Sequence, residues 1–153
     1  MTVIDAALAT YLEGVPAQYI STADAGTNPI IGRAWGLRVT DGHTVRAVVG
    51  ADASTVANLE TTSRAALVVA DVATYRSVQV KGTLVAVEPA TATDHVIYQG
   101  YQREFTAALR SAGRTTPMDE VWPASIITVT IDVDAVFDQT PGPGAGRAMT
   151  GPS

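Results

Sequence analysis

Two arginines, Arg33 and Arg38, stand five positions apart in the run Ile30 to Val39, with Trp35 and Gly36 between them. A guanidinium stays protonated and presents a fork of donors, so the chemistry it offers is the capture of an anion rather than acid–base work. On a regular strand an odd spacing sends the two side chains to opposite faces, and a bulge at Gly36 would restore a common direction. Further along, Ser54 and Thr55 open a segment of helical spacing, where free backbone N–H groups and the positive end of the helix dipole attract a phosphate. Trp35 offers an indole for stacking on a flat ring. The stretch Tyr75-Arg76-Ser77-Val78-Gln79-Val80-Lys81-Gly82 alternates donors along a strand, suited to reading the polar edge of a heterocycle. The same residues equally suit solvated strands, a helix cap and a core tryptophan, and spacing does not choose between these readings.

Other chemistries have less support. The 153-residue chain has no cysteine, which excludes disulfide scaffolds, thiolate metal sites and cysteine nucleophiles. Its two histidines, His43 and His95, form no His-Glu-x-x-His pattern and no readable Ser-His-Asp arrangement. Asp132-x-Asp134 reads as a solvent-facing pair on a strand rather than a metal site. Gly142-Pro143-Gly144-Ala145-Gly146 has no strand before it and no helix after it, so its glycines do not make a dinucleotide fingerprint. A net charge of −5 argues against nucleic-acid partners, and any anion site must be local. No apolar run approaches the roughly 20 residues that span a bilayer, and the first residues lack a basic, then apolar, leader; the expectation is a cytoplasmic protein without membrane partners.

The elements that must position these residues follow from periodicity. Val3 to Leu12 has apolar residues at helical spacing, stopped by Gly14 and Pro16. Strands are expected at Gln18 to Ala23, Ile30 to Val39 and Thr44 to Val49, joined by the Asp24 to Pro29 turn cluster and by Asp41-Gly42. A short helix follows over Asp52 to Glu60, capped by Asp52 or Ser54, and then strands at Ala65 to Val72 and Tyr75 to Val87. Asp94 to Ala112 carries one long apolar helical face, and Ser125 to Phe137 alternates as a last strand. Residues 1–140 are read as one domain and 141–153 as a Gly/Pro-rich tail without regular structure. Tight hairpins and six strands in so short a chain imply a mainly β fold with flanking helices, an antiparallel sheet closed into a barrel.

From about Ala17 to Phe137 the chain resembles the pyridoxamine 5′-phosphate oxidase-like family of FMN-binding split β-barrels. The residues carrying the resemblance are the hairpin after Asp-Ala-Gly-x-Asn-Pro, the stretch Arg33-Ala-Trp-Gly-Leu-Arg38, the helix entry from Asp52 to Leu59, and the strand from Tyr75 to Gly82. The resemblance implies a six-stranded antiparallel split barrel that binds FMN, or a deazaflavin, between the subunits of a homodimer. It implies that Arg33 and Arg38 match the two ends of a flavin-contacting stretch, with arginine where the oxidases carry lysine. Val48-Val49 stand where the oxidases have a Tyr-Thr pair, Ser54-Thr55 where they have an Arg-Lys pair, and Ser77, with Gln79 two residues on, where they have a glutamine on the flavin. Hydroxyls thus replace cations at the helix entry. The expected function is an FMN-dependent oxidoreductase of unknown substrate, distinct from a true pyridoxamine phosphate oxidase; a non-catalytic binder of a flavin, deazaflavin or other small molecule is the alternative.

Overall fold

The computed structural model describes residues 4–115 and 117–149. Helix α1 (Ala6–Glu13) leads into β1 (Ala17–Ala23), β2 (Pro29–Val39) and β3 (Thr44–Gly50), and α2 (Ala53–Thr62) connects these to β4 (Arg64–Ala70) and β5 (Ser77–Pro89). Helix α3 (Ala92–Ser111), β6 (Ile126–Asp138) and the two-residue β7 (Arg147–Ala148) complete the chain. All neighbouring strands pair antiparallel in the order β3-β2-β1-β4-β5-β6-β7, and a further β3–β6 ladder closes the first six into a barrel. Closure removes the exposed strand edges that an open sheet of this length would present.

The alternation seen in the sequence fills the barrel. Ile20 from β1, Val45, Ala47 and Val49 from β3, Leu67 and Val69 from β4, Val78 and Val80 from β5, and Val129 and Ile131 from β6 are all buried in one cluster. The two short helices plug opposite ends: α1 inserts Leu8 and Leu12, and α2 inserts Leu59. Burying such side chains supplies roughly 1.5–3 kcal/mol apiece before entropy is charged against it.

Strand β2 departs from simple alternation, and the reason is Gly36. In the β2–β3 ladder the step from Ala34 to Leu37 is matched by the step from Val49 to Ala47, so one residue is extra. Gly36 takes φ 137°, a conformation natural only to glycine, and its N–H turns to the buried Gln18 Oε1 at 2.8 Å. Gln18 in turn donates to the Leu12 carbonyl at 3.2 Å, which ties the bulge to the end of α1. Ala34 and Leu37 therefore both enter the barrel core, while Arg33, Trp35 and Arg38 stay outside.

A second glycine is required where β5 and β6 cross closely. A Cβ on Gly82 would collide with the carbonyl oxygen of Asp132, beside the Lys81/Gly82 irregularity of that ladder. Gly82→Ala is expected to destabilise the barrel by about 2 kcal/mol through forced strand separation, read as a lower denaturant midpoint at unchanged m-value.

Two expectations need correction. The Gly/Pro-rich tail does regain regular pairing: Arg147–Ala148 add to β6, with Gly146 N–H to Asp138 O at 2.7 Å and Met149 N–H to Val136 O at 2.9 Å. Tyr75 does not open a strand; it sits in the β4–β5 loop with φ 60°, and β5 begins at Ser77.

Candidate functional site

The site begins with the β1–β2 hairpin. Asp24 accepts from the Asn28 backbone N–H at 2.9 Å and closes the turn, which puts Tyr19 directly across from Arg33 on the outer face of the barrel. Helix α3 lies over this face. Its first turn is fixed by the reciprocal cap between Thr91 and Asp94 and by a double contact from Arg46 on β3, Nε to Asp94 Oδ1 at 3.0 Å and Nη2 to Oδ2 at 2.9 Å. Ile97 packs where a side chain on Gly36 would sit, and the Tyr101 hydroxyl donates to Pro16 O at 2.7 Å. Burial pushes the Tyr101 phenol far above its ordinary range, against the opposing charge of Arg33, so the hydroxyl remains a neutral donor.

These supports place Arg33 in an aromatic cage. Its guanidinium carbon lies 4.5 Å from the Trp35 ring centroid, 4.8 Å from Tyr19 and 5.5 Å from Phe105, and Nε donates to Gln18 O at 3.3 Å. Trp35 is itself held by Trp122 at 4.8 Å, and Phe105 stacks on Tyr101 at 5.2 Å. Arg33 Nη2 is buried and has no hydrogen-bond partner, alone in this among the described residues. A buried unpaired donor on a cation costs free energy unless a ligand meets it. Arg33 lines a cavity of about 390 Å³ between β1, the C-terminal half of α3 and the β4–β5 loop. Tyr19, Asp71, Tyr75, Phe105 and Arg114 line the same space, and its remaining walls are apolar. Rings, a guanidinium nitrogen without a partner and this volume suit a planar ligand with an acceptor or anionic group.

The structure divides the cradle expected from the sequence. Arg38 shares the outer face with Arg33, as the bulge allows, but lies beyond Gly36 on a different groove; half-exposed, it faces Glu13 Oε2 at 3.9 Å. The Val49 side chain is buried in the barrel core. Trp35 is 3% exposed and serves as a wall beneath Arg33 rather than as a free stacking surface. Ser54 is exposed and Thr55 buried at the start of α2, where Asp52 Oδ1 accepts from the Thr55 N–H at 2.8 Å. The chain's own carboxylate therefore occupies the helix terminus that a phosphate would use. Ser77 pairs across from Ala70 at the margin of the cavity, while Gln79 lies further along β5 and receives Gln139 Nε2 at 3.3 Å. Tyr19, Phe105, Asp71 and Arg114 were not singled out by sequence. The Tyr19–Arg33 pairing was accessible from a hairpin centred on Gly26, whereas Phe105 and Arg114 reach the cavity only through the docking of α3.

Solved structures with this fold include HupZ of Group A Streptococcus, 20% identical over 94% of this chain and 100% of that one, with a TM-score of 0.59. An FMN-binding protein of Syntrophomonas wolfei is 15% identical over 84% and 81% of the two chains, with a TM-score of 0.51. An F420 reductase is 15% identical over 82% and 91%, with a TM-score of 0.50. At these identities the likeness is one of fold. No curated protein matches the chain. Residues 4–132 match the sequence pattern of pyridoxamine 5′-phosphate oxidase, from the end plug of α1 through most of the closing strand β6, and on that extent the chain belongs to the pyridoxamine 5′-phosphate oxidase family.

Proposed function

We propose that this protein binds a flavin-type cofactor, FMN or a deazaflavin, against the Arg33 cavity and acts as an oxidoreductase on a small molecule. The observation that carries this reading is the buried, unpartnered Nη2 of Arg33 in its aromatic cage, on a residue that lines a cavity of about 390 Å³. Arg33 would hold an acceptor or anionic group of the cofactor. Tyr19 and Phe105 would exclude water from it, which strengthens each charge-assisted contact. Arg114 would meet a second negative group at the same cavity. The bound cofactor supplies hydride-transfer chemistry at its ring, and the chain supplies placement and the electrostatics around it.

The absence of cations at the α2 entry favours a phosphate held elsewhere than in the oxidases, and an F420 reductase among the structural neighbours makes a deazaflavin a specific rival to FMN. Side-by-side fluorescence titrations with FMN and with a deazaflavin separate the two, and steady-state assays with NAD(P)H or a reducible acceptor separate an enzyme from a binder. Saturable binding of either cofactor is the expected result. No quenching of either at micromolar protein would overturn the reading.

A homodimer is part of the proposal. The outer face of β4 carries half-buried Ala66, Val68 and Ala70, and Ile31 on β2 is 69% exposed, an apolar surface that a second copy would cover. Sedimentation at micromolar concentration should give twice the chain mass of 15.9 kDa.

A further inference from the structure

Tyr75 stands out among the residues of the Arg33 cavity. It is 59% exposed, yet it lines that cavity, and its backbone is held at φ 60°. A bulky residue in the left-handed region is strained, and glycine or asparagine would occupy it at lower cost. Thr27 and Ser63, the other described non-glycine residues with positive φ, are a turn residue of the first hairpin and the C-cap of α2. Tyr75 is a turn residue as well, of the β4–β5 hairpin, but its large side chain makes no hydrogen bond to the described residues and is not part of either core cluster.

The loop is built to keep it there. Asp71 Oδ1 accepts from Ala73 N–H at 2.9 Å and Thr74 N–H at 2.7 Å, which draws the Asp71 carboxyl below the ordinary carboxylate range. The Tyr75 N–H reaches Asp71 O at 3.0 Å, Asp71 N–H reaches Arg76 O at 2.9 Å, and the Ser77 hydroxyl donates to Tyr75 O at 2.9 Å. Arg76 is pinned on α1, its carbonyl receiving the Tyr11 hydroxyl at 2.5 Å and its guanidinium lying 4.2 Å over the Tyr11 ring. A rigid loop thus presents an aromatic side chain, at a cost in backbone strain, beside a cavity lined by Arg33, whose Nη2 has no hydrogen-bond partner. Strain kept by so many contacts at a ligand cavity has a function as its simplest physical account.

We propose that Tyr75 is the stacking residue of this cavity, laying its ring on the face of the planar ligand that Arg33 holds. The proposal rests on the flavin-type reading above. It assigns the two contacts to different parts of the chain, the guanidinium to β2 under α3 and the ring to the β4–β5 loop, so they can be removed separately.

The test compares the parent with Tyr75→Gly and Tyr75→Phe, using FMN and a deazaflavin as titrants and thermal unfolding without ligand. Tyr75→Gly is expected to weaken binding about tenfold or more, from the lost ring stacking, while its ligand-free Tm stays at or above the parent's because the strain is gone. Tyr75→Phe should bind as the parent does. A purely structural Tyr75 predicts the reverse: a Tm lowered by glycine and affinity unchanged, an outcome that overturns the proposal and leaves the flavin reading standing. If the parent binds neither cofactor, both fall together.

Discussion

Replacing Arg33 by methionine is expected to weaken cofactor binding about 100-fold while leaving the fold intact, because a charge-assisted contact in a dry site is worth roughly 1.5–3 kcal/mol and each 1.4 kcal/mol is a factor of ten. Methionine keeps a flexible stem of similar reach among Tyr19, Trp35 and Phe105, so the cage stays filled. It also removes the buried Nη2 that has no partner, and the relief offsets the lost attraction to the three rings. Ligand-free Tm should therefore remain within a few degrees of the parent. Arg33→Lys retains charge without the planar fork and should fall between the two. Fluorescence titration paired with thermal unfolding reads both quantities. An unchanged dissociation constant in Arg33→Met would remove Arg33 from the site, and a large loss of Tm would recast it as a structural residue.

The opposite pattern is expected at Asp94, where stability falls. Its carboxylate takes two contacts from Arg46 and two more from Thr91, the N–H and the hydroxyl, both at 2.7 Å. Arg46 is also shared with Glu88 at 2.8 Å, and the Asp94 side chain is 3% exposed. Asp94→Ala leaves the Arg46 guanidinium half-paired and removes the carboxylate half of the reciprocal cap on α3, a loss of about 4 kcal/mol against a total near 5–15 kcal/mol. The hydrogen bonds from Arg46 hold the Asp94 carboxyl far below the ordinary carboxylate range, with burial working against them and Thr91 assisting. A native pKa depressed below the unfolded value gives stability that is full above about pH 5 and lost as the pH falls through the acid range. The parent should therefore lose Tm steeply below about pH 4, and the Asp94→Ala variant, already weakened, should show a flatter acid limb. Equal pH slopes in the two would place the acid sensitivity elsewhere.

Periodicity located nine of the ten elements because each hairpin turn and each apolar face announces itself locally. It missed β7, whose two residues in a Pro/Gly-rich segment pair only because the end of β6 is beside them. It began β5 at Tyr75 because tyrosine favours strands, and the Asp71-centred loop overrode that preference. The site was less legible. Arg33 was visible as a cation on a strand, but its burial depends on α3, which returns from some 70 positions later in the chain to place Phe105 over it. The α2 entry was read for its hydroxyls, and the deciding atom is the neighbouring Asp52 carboxylate. Local spacing reports which faces exist; it does not report what a distant helix lays across them.

The bulge at Gly36 has one more consequence, in how positions are to be counted. Arg33 and Arg38 are five residues apart along the chain but four steps apart along the ladder, since Trp35 and Gly36 together face the single residue Val48. Inside and outside are thus a matter of parity in the sheet and not in the sequence. Deleting Gly36 would keep Leu37 inside and Arg38 outside, whereas deleting any other residue between Arg33 and Arg38 without losing the bulge would send one end of the strand through the wall of the barrel. The odd interval that seemed to separate the two arginines is the mark of an inserted residue, and an alignment of this strand has to place its gap there.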